Sequence, residues 1–231
     1  MESIVIATIK EWNIQNYFKL KKRLKDKYNF YLITNKEELN FNNLKKINPK
    51  YIFFPHWSYI IEEDIYSNFT CIAFHMTDLP YGRGGSPLQN LIMNEVYNTK
   101  ISAFKVKKGL DSGDIYLKED FNISLGSAEE IYIKISDIIF QKMIPTILTK
   151  NLVPKKQEGK VVTFKRRKPE DSNILTLKEK NIKKLYDFIR MLDAEGYPKA
   201  FIELDNIRIE FSEVHLKNNK LVGRFEVYEN E

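Results

Sequence analysis

Short apolar runs alternate with charged, amphipathic segments along the first half of the chain. The runs SIVIATI, NFYLIT, YIFF and CIAFH are rich in β-branched and aromatic residues, which predicts four strands. The segments between them, including EWNIQNYFKLKKRLKDK, KEELNFNNLKKIN and SYIIEEDIY, carry apolar residues at helical spacing. Because the strands are continuously apolar, we expect them to be buried on both faces, as in a mostly parallel sheet covered by helices.

The second half begins with a predicted helix and ends in predicted antiparallel strands. Ser86 and Pro87 favour a helix start, since serine is a frequent N-cap and proline is tolerated in the first turn. ISAFKV and DIYLKEDFNI predict a strand pair, and Ser127 with Glu130 matches a capping box at the start of a long helix. Turn residues at 205–206 and 218–219 divide the C-terminal segment into three short strands.

These elements predict an α/β fold, namely an open, mostly parallel twisted sheet with a small C-terminal β-rich subdomain. The expected boundaries are a main domain at residues 1–165, a connector and helix at 166–197, and the β subdomain at 198–231.

The net charge of the chain does not indicate a macromolecular partner. The 231 residues include 37 Lys and Arg against 31 Asp and Glu, a net charge of +6. The basic residues are interleaved with acids, which is typical of solvated helix faces, so we do not expect a nucleic-acid partner. A modest positive field would suit a phosphorylated small substrate.

No apolar run approaches the roughly 20 residues that span a bilayer. The start MESIVIATIK has no basic segment before its apolar run, so we expect a cytoplasmic protein without a leader or a membrane partner. With one cysteine and three histidines, we predict neither an internal disulfide nor a zinc site.

Three loops are predicted at strand ends, where open parallel sheets bind ligands. They are PHWS, HMTDLPYGRGGSP and KKGLDSGD, and their convergence would gather His56, His75, Asp78, Arg83 and Asp111. Taken singly, a histidine can bond to a turn, an aspartate can form an Asx-turn, and an aromatic can line a pocket. The run GRGG does not match the dinucleotide fingerprint. The combination of histidine, aspartate and an open glycine backbone instead predicts acyl transfer.

The segments AFH, DLPYGRGGSP and LDSGDI resemble, in order and spacing, the signature of the formyl-tetrahydrofolate-dependent formyltransferases. This family includes the methionyl-tRNA, glycinamide ribonucleotide and sugar N-formyltransferases. FKRRKPEDSNI and IRMLDAEGYPKAF are similar to the segments that close the catalytic domain of the tRNA and sugar enzymes. The resemblance implies a Rossmann-like formyltransferase fold, with residues 1–165 as the catalytic domain.

The glycine-containing loop is most similar to the enzymes that act on amino sugars in pseudaminic-acid-type pathways. The resemblance therefore implies formyl transfer from formyl-tetrahydrofolate to the amine of a nucleotide-linked amino sugar, of the 4-amino-4,6-dideoxy type. The short segment after residue 200 leaves little room for a tRNA-binding barrel, which favours a small acceptor. A homodimer is compatible with this expectation.

The resemblance also implies roles for individual residues. His75 and Asp111 are the expected catalytic pair, in which Asp111 orients His75 and accepts the amine proton. The expected folate contacts are His56, Trp57, Leu110 and Asp111. The expected acceptor contacts are Thr77, Arg83, Gly84, Gly85, Ser86 and Gln89.

One position departs from the family. The asparagine expected two residues before His75 is Ala73, and losing one oxyanion donor typically costs about 100- to 1,000-fold in rate. Thr77, Asn90 or a backbone N–H of the glycine-containing loop are alternative donors. The departure leaves two other interpretations open: an inactive or regulatory folate-binding protein, and a formyl-tetrahydrofolate hydrolase.

Overall fold

The computed structural model describes residues 1–229. The strands are β1 (Glu2–Ala7), β2 (Tyr28–Ile33), β3 (Tyr51–Phe54), β4 (Cys71–His75), β5 (Arg83–Gly84), β6 (Asn98–Lys105), β7 (Ile115–Asn122), β8 (Thr163–Phe164), β9 (Ala200–Leu204), β10 (Ile207–Lys217) and β11 (Lys220–Glu229). The α-helices are α1 (Glu11–Leu24), α2 (Phe41–Ile47), α3 (Glu63–Asn68), α4 (Pro87–Met93), α5 (Ala128–Ile138), α6 (Ile144–Thr149) and α7 (Ile182–Arg190). A π-helix at Ile139–Met143 joins α5 to α6, and two short 3₁₀ helices lie at Pro169–Ser172 and Ile174–Thr176.

The predicted mostly parallel sheet is confirmed. Six strands lie in the order β2-β1-β3-β4-β6-β7. Strand β1 runs parallel to β2 and to β3, β3 runs parallel to β4, and β4 runs antiparallel to β6. Ile4, Val5, Ile6 and Ala7 of β1 are completely buried, which agrees with a strand covered on both faces. Because β2 and β3 lie on opposite sides of β1, the strand order reverses there.

The chain forms two compact units, each built from separate segments. The first contains residues 1–83, 100–121 and 133–162, and includes nearly all of the six-stranded sheet. Its apolar cluster joins strands β1 to β4 with α2 and α3: Val5, Ala7, Ile33, Leu39, Leu44, Ile52, Phe54, Ile65 and Cys71. The domain boundaries predicted at 165 and 197 stay a prediction.

The second unit contains residues 84–99, 122–132 and, within the described part of the chain, 163–229. Its antiparallel sheet has the order β11-β10-β9, which confirms the C-terminal β-rich segment. The two predicted turns contain left-handed residues, with φ of 48° at Asp205, 44° at Asn218 and 60° at Asn219. Asparagine and aspartate tolerate this conformation better than other residues with a Cβ atom.

Helix starts are partly as predicted. Ser127 and Glu130 form the reciprocal capping box, at 2.9 and 3.2 Å. Helix α4 starts at Pro87, but Ser86 has a φ of 49° and makes no side-chain cap. The helix predicted from residue 36 begins only at Phe41, because the side chain of Asn40 accepts from Asn43 N–H and caps the helix there.

The helix predicted from residue 58 likewise begins later, at Glu63, and residues 57–62 form a loop. No helix within residues 1–229 is both long and apolar enough to cross a bilayer.

Candidate active site

The imidazole of His75 lies at the carboxyl end of β4. Its Nε2 is 2.7 Å from the carbonyl oxygen of Gly82, and since a carbonyl can only accept, Nε2 carries a proton. The other nitrogen, Nδ1, lies 3.8 Å from Oδ2 of Asp111. The two side chains are only 11% and 18% exposed. The structure thus brings together the two residues that the sequence predicted to be catalytic.

Asp111 lies in the loop between β6 and β7, in a left-handed conformation with φ of 47°. Aspartate adopts this conformation more readily than most residues with a Cβ atom, and surrounding contacts hold it here. One is the close packing of Gly113, where an added Cβ would lie 1.5 Å from the carbonyl oxygen of Lys105. Only glycine fits there, which places the loop tightly against the end of β6.

The loop after His75 is held by buried hydrogen bonds. Ser102 Oγ donates to Thr77 O at 2.7 Å and accepts from Leu79 N–H at 3.3 Å. Thr77 is completely buried, with its hydroxyl 3.4 Å from Gly82 O. This placement makes Thr77 a support for the loop, and we leave it out of the proposed acceptor contacts.

Asp78 is more than a turn residue. Its Oδ1 accepts from Lys118 Nζ at 2.5 Å, and the same ammonium group bonds to Leu79 O at 2.5 Å. Lys100 lies 3.9 Å from the other carboxylate oxygen. These contacts tie the loop to β6 and β7.

Gln157 belongs to this site, although the sequence analysis missed it. Its side-chain amide bonds to Arg83 on one side and to the backbone carbonyls of Asp111 and Gly113 on the other. It lies outside the helices and strands, two residues after the isolated bridge between Lys155 and Ile115. Nothing in the local pattern NLVPKKQEGK distinguishes it from a solvated glutamine.

His56 follows β3, near the point where strand order reverses. The carbonyl oxygen of Pro55 accepts from Thr8 Oγ1 at 2.7 Å and from Asn13 Nδ2 at 3.2 Å, which fixes the turn. His56 has a φ of 51°, and its ring meets the edge of Trp12 with centroids 5.9 Å apart. Burial lowers the pKa of His56 to about 4, with a smaller contribution from the charge of Lys10. The ring is therefore neutral at neutral pH and unsuited to donate a proton there.

The indole of Trp57 contacts the rings of Phe54 and Tyr59 edge-on, with centroids 6.2 and 5.2 Å apart. Its Nε1 is buried and has no hydrogen-bond partner among the described residues. An unsatisfied buried donor costs about 1–3 kcal/mol, so a ligand acceptor at this position would be favoured. Leu110, predicted nearby, is 65% exposed.

Gly84 and Gly85, in the loop after His75, are required by close packing within the second unit. A Cβ on Gly84, whose φ is 105°, would lie 2.4 Å from Phe164 O, and one on Gly85 would lie 2.6 Å from Cβ of Arg166. Gly85 N–H also donates to Phe164 O at 3.2 Å. The close approach that requires these glycines is to strand β8 and the residues after it.

Two other expected acceptor contacts are engaged inside the second unit. Gln89 is 4% exposed, and its Nε2 donates to Met191 O at 2.9 Å and to Tyr132 Oη at 3.3 Å. Ser86 Oγ accepts from Arg167 N–H at 3.0 Å. We therefore retain only Arg83, in the first unit, as a proposed acceptor contact.

Ala73 lies on β4 between Phe54 of β3 and Phe104 of β6, and it supplies no side-chain donor. Of the alternative donors, Thr77 is bonded as described above. Asn90 Nδ2 donates to the carbonyls of Gly85, Ser86 and Lys165. Neither side chain is assigned the role of the missing asparagine.

Among residues 1–229, no group of three or more His, Cys, Asp or Glu side chains could hold a metal ion.

Comparison with known proteins identifies relatives of this chain. Residues 169–228 match the family described as methionyl-tRNA formyltransferase, C-terminal domain. A solved structure of methionyl-tRNA formyltransferase from Clostridium thermocellum is 54% identical, with a TM-score of 0.96 and full coverage of both chains. A sugar N-formyltransferase from Shewanella sp. FDAARGOS_354 shares the fold at 15% identity, with a TM-score of 0.70 and coverage of 97% and 96%.

Curated relatives are longer than this chain. The methionyl-tRNA formyltransferase of Campylobacter jejuni subsp. jejuni serotype O:6 is 25% identical over 199 residues, which are 85% of this chain and 64% of the relative. The match thus spans less than two thirds of the length of this relative.

Proposed function

This chain belongs to the formyltransferase family, and from that premise we propose that it transfers a formyl group from formyl-tetrahydrofolate to an amine, giving a formamide and tetrahydrofolate. The observation that carries the proposal is the opposition of His75 and Asp111 at the end of β4. Two largely buried groups that can exchange a proton, 3.8 Å apart, suit an acyl transfer in which the nucleophile loses a proton.

The bond between His75 and Gly82 assigns the roles of the two ring nitrogens. Because Nε2 is already protonated, Nδ1 is the nitrogen of neutral His75 that can accept a proton. Nδ1 and the Asp111 carboxylate therefore converge as two acceptors for the proton of the attacking amine. Protonated His75 then stabilises the negative charge that develops on the formyl oxygen, and the Asp111 carboxylate stabilises the protonated ring. When the bond between the formyl carbon and the folate nitrogen breaks, the proton held by the ring passes to that nitrogen, which gives the formamide and tetrahydrofolate.

Bound formyl-tetrahydrofolate would supply the activated formyl group. The residues after β3 fit a flat, polar-edged ring, because Trp57 offers an aromatic indole with a buried and unused Nε1 donor. His56 is neutral and adds an uncharged aromatic surface, and backbone groups of Leu110 and Asp111 complete the proposed folate contacts.

The proposed acceptor is the amine of a nucleotide-linked amino sugar, of the 4-amino-4,6-dideoxy type found in pseudaminic-acid-type pathways. Support comes from the likeness of the loop to sugar N-formyltransferases and from the fold shared with the Shewanella enzyme. The cation of Arg83 is the proposed contact to an anionic group of this acceptor.

A second candidate acceptor is methionyl-tRNA. The 54% identity to the Clostridium thermocellum protein, which carries the name methionyl-tRNA formyltransferase, favours it. Both candidates present a primary amine, so the chemistry at His75 and Asp111 is the same for either.

A mass-spectrometric screen tests the proposal. The purified protein is incubated with formyl-tetrahydrofolate and either a panel of amino-sugar nucleotides or methionyl-tRNA, with His75→Ala as the control. Formylated amino sugar is the expected product. If only methionyl-tRNA is formylated, methionyl-tRNA and not an amino sugar is the acceptor. Free formate without any formamide would identify the protein as a hydrolase. Folate binding without turnover would favour a folate-binding protein without catalytic activity.

A further inference from the structure

We propose that Gln157 is a positioning residue of this site, fixing Asp111 opposite His75 and holding Arg83 in place. The inference rests on the proposed formyl transfer for its kinetic consequences, but its geometry is independent of the acceptor. Neither the family signature nor the predicted cleft loops contain this residue.

All four hydrogen-bonding positions of the Gln157 side chain are used. Its Nε2 donates to Asp111 O at 2.7 Å and to Gly113 O at 2.8 Å. Its Oε1 accepts from Arg83 Nε at 3.1 Å and from Nη2 at 2.7 Å. A primary amide has two N–H groups and two lone pairs, so the residue type matches the surroundings completely.

The bonds to two carbonyls clamp the turn at Asp111. The side-chain nitrogen of Gln157 donates to the carbonyl oxygens of Asp111 and Gly113, on either side of Ser112. Asp111 itself has a left-handed φ of 47°. Without the clamp, the turn can relax and move the carboxylate away from His75. A misplacement of about 1 Å at a reacting group can cost on the order of 100-fold in rate.

The bonds to Arg83 connect this turn to the loop that follows His75. Two of the five N–H groups of the guanidinium are used by one oxygen of Gln157. Gln157 therefore couples the orientation of the proposed acceptor contact to that of the catalytic carboxylate.

Two substitutions separate these connections. Gln157→Met keeps the approximate length of the side chain and removes all four bonds. Gln157→Glu keeps an acceptor for Arg83 but places a second oxygen against the carbonyls of Asp111 and Gly113, which repels when the carboxyl is ionised. Gln141→Glu, an exposed glutamine of the same unit, is the matched control.

We expect both Gln157 variants to lower kcat by about 10- to 100-fold, with a smaller change in the KM of the formyl donor, and Gln141→Glu to match the wild type. The kcat of Gln157→Glu should be no higher than that of Gln157→Met, because the glutamate adds a negative charge against the two carbonyls. A kcat within twofold of wild type in both variants would overturn the inference. If Gln157→Met fails to fold, Gln157→Glu alone decides.

A second measurement separates this inference from the proposed function. The chain has three histidines, so the ring ¹⁵N resonances can be assigned with His75→Gln. In Gln157→Glu, the His75 signals should shift while those of His215, in the second unit, stay in place. Absence of wild-type turnover would refute the proposed function and leave this measurement valid. Unchanged His75 signals would refute the role of Gln157.

Discussion

Nδ1 of His75 and Oδ2 of Asp111 face each other across 3.8 Å, a separation longer than a direct hydrogen bond. The opposite side of the ring is fixed, because Nε2–H donates to Gly82 O at 2.7 Å. The imidazole is therefore held by a backbone carbonyl, and its free nitrogen and the carboxylate converge on the same space. This arrangement suits the exchange of a proton with a third group between them.

Removing either member of this pair should abolish most of the activity. His75→Ala removes the proton acceptor, and Asp111→Asn keeps the side-chain shape but removes the negative charge. Loss of general acid–base catalysis typically costs about 100- to 10,000-fold, and we expect a fall in kcat of this size in each variant. Steady-state kinetics with the acceptor found in the screen measures it.

His215→Ala is the matched control, since His215 is exposed on β10. Circular dichroism and Tm should show that the variants are folded. A kcat near that of the wild type for His75→Ala or Asp111→Asn would remove these residues from the mechanism.

Much of the fold was predictable because the relevant interactions are local. Continuous apolar runs predict buried parallel strands, and the Ser127–Glu130 pair predicts a cap from residues only three positions apart. The proximity of His75 and Asp111 was indicated by the family signature in AFH and LDSGDI, and not by strand ends, because β4 and β6 run antiparallel. In each case the signal is contained in a short stretch of sequence.

The remaining features depend on contacts between distant segments. Gln157 bonds to Arg83 and Asp111, which lie far from it in the chain, so its own neighbourhood carries no signal. The sequence likewise could not show whether a glycine allows close approach of a ligand or of another strand. At Gly84 the close neighbour is strand β8. The sequence also did not reveal which polar residues are buried, since Gln89 is a polar residue with a buried side chain.

The unused donor of Trp57 predicts an effect on folate binding. Trp57→Phe keeps an aromatic ring but removes Nε1–H, which the unliganded protein does not bond. We expect tetrahydrofolate to bind about 5- to 30-fold more weakly, the equivalent of about 1–2 kcal/mol for a lost hydrogen bond to the ligand. Isothermal titration calorimetry measures the change in Kd.

Tyr59→Phe serves as the comparison, because it removes an exposed hydroxyl beside the same indole. The Kd of Tyr59→Phe for tetrahydrofolate should stay within twofold of the wild-type value. Equal affinities of Trp57→Phe and wild type would show that Nε1 does not contact the folate.

His56 should make the stability of the protein depend on pH. Its pKa is about 4 in the folded protein, against an ordinary value of 6.5. Between these values the unfolded chain binds a proton that the folded protein does not, so the free energy of unfolding should fall as pH decreases from 6.5 towards 4. Urea denaturation at a series of pH values follows this loss.

The contribution of His56 is isolated by comparison with His56→Gln, which lacks the titrating ring. Carboxylates also begin to titrate in this range, but they do so equally in both proteins. The wild type should therefore lose more stability than the variant, by on the order of 1–2 kcal/mol for a partly exposed group. Parallel curves would show that His56 is protonated equally in the folded and unfolded chains.

Asp78 should contribute to stability and little to catalysis. Its carboxylate bonds to Lys118 and lies near Lys100, but it is 46% exposed, and exposed ion pairs contribute about 0.2–1 kcal/mol. We expect Asp78→Ala to lose stability in this range, less so in high salt, with kcat reduced by no more than a few fold. Asp78→Asn, which keeps an acceptor for Lys118, should lose less. A kcat of Asp78→Ala as low as that of Asp111→Asn would instead place Asp78 among the catalytic residues. The loop after His75 would then contribute a side chain to the reaction and not only support the site.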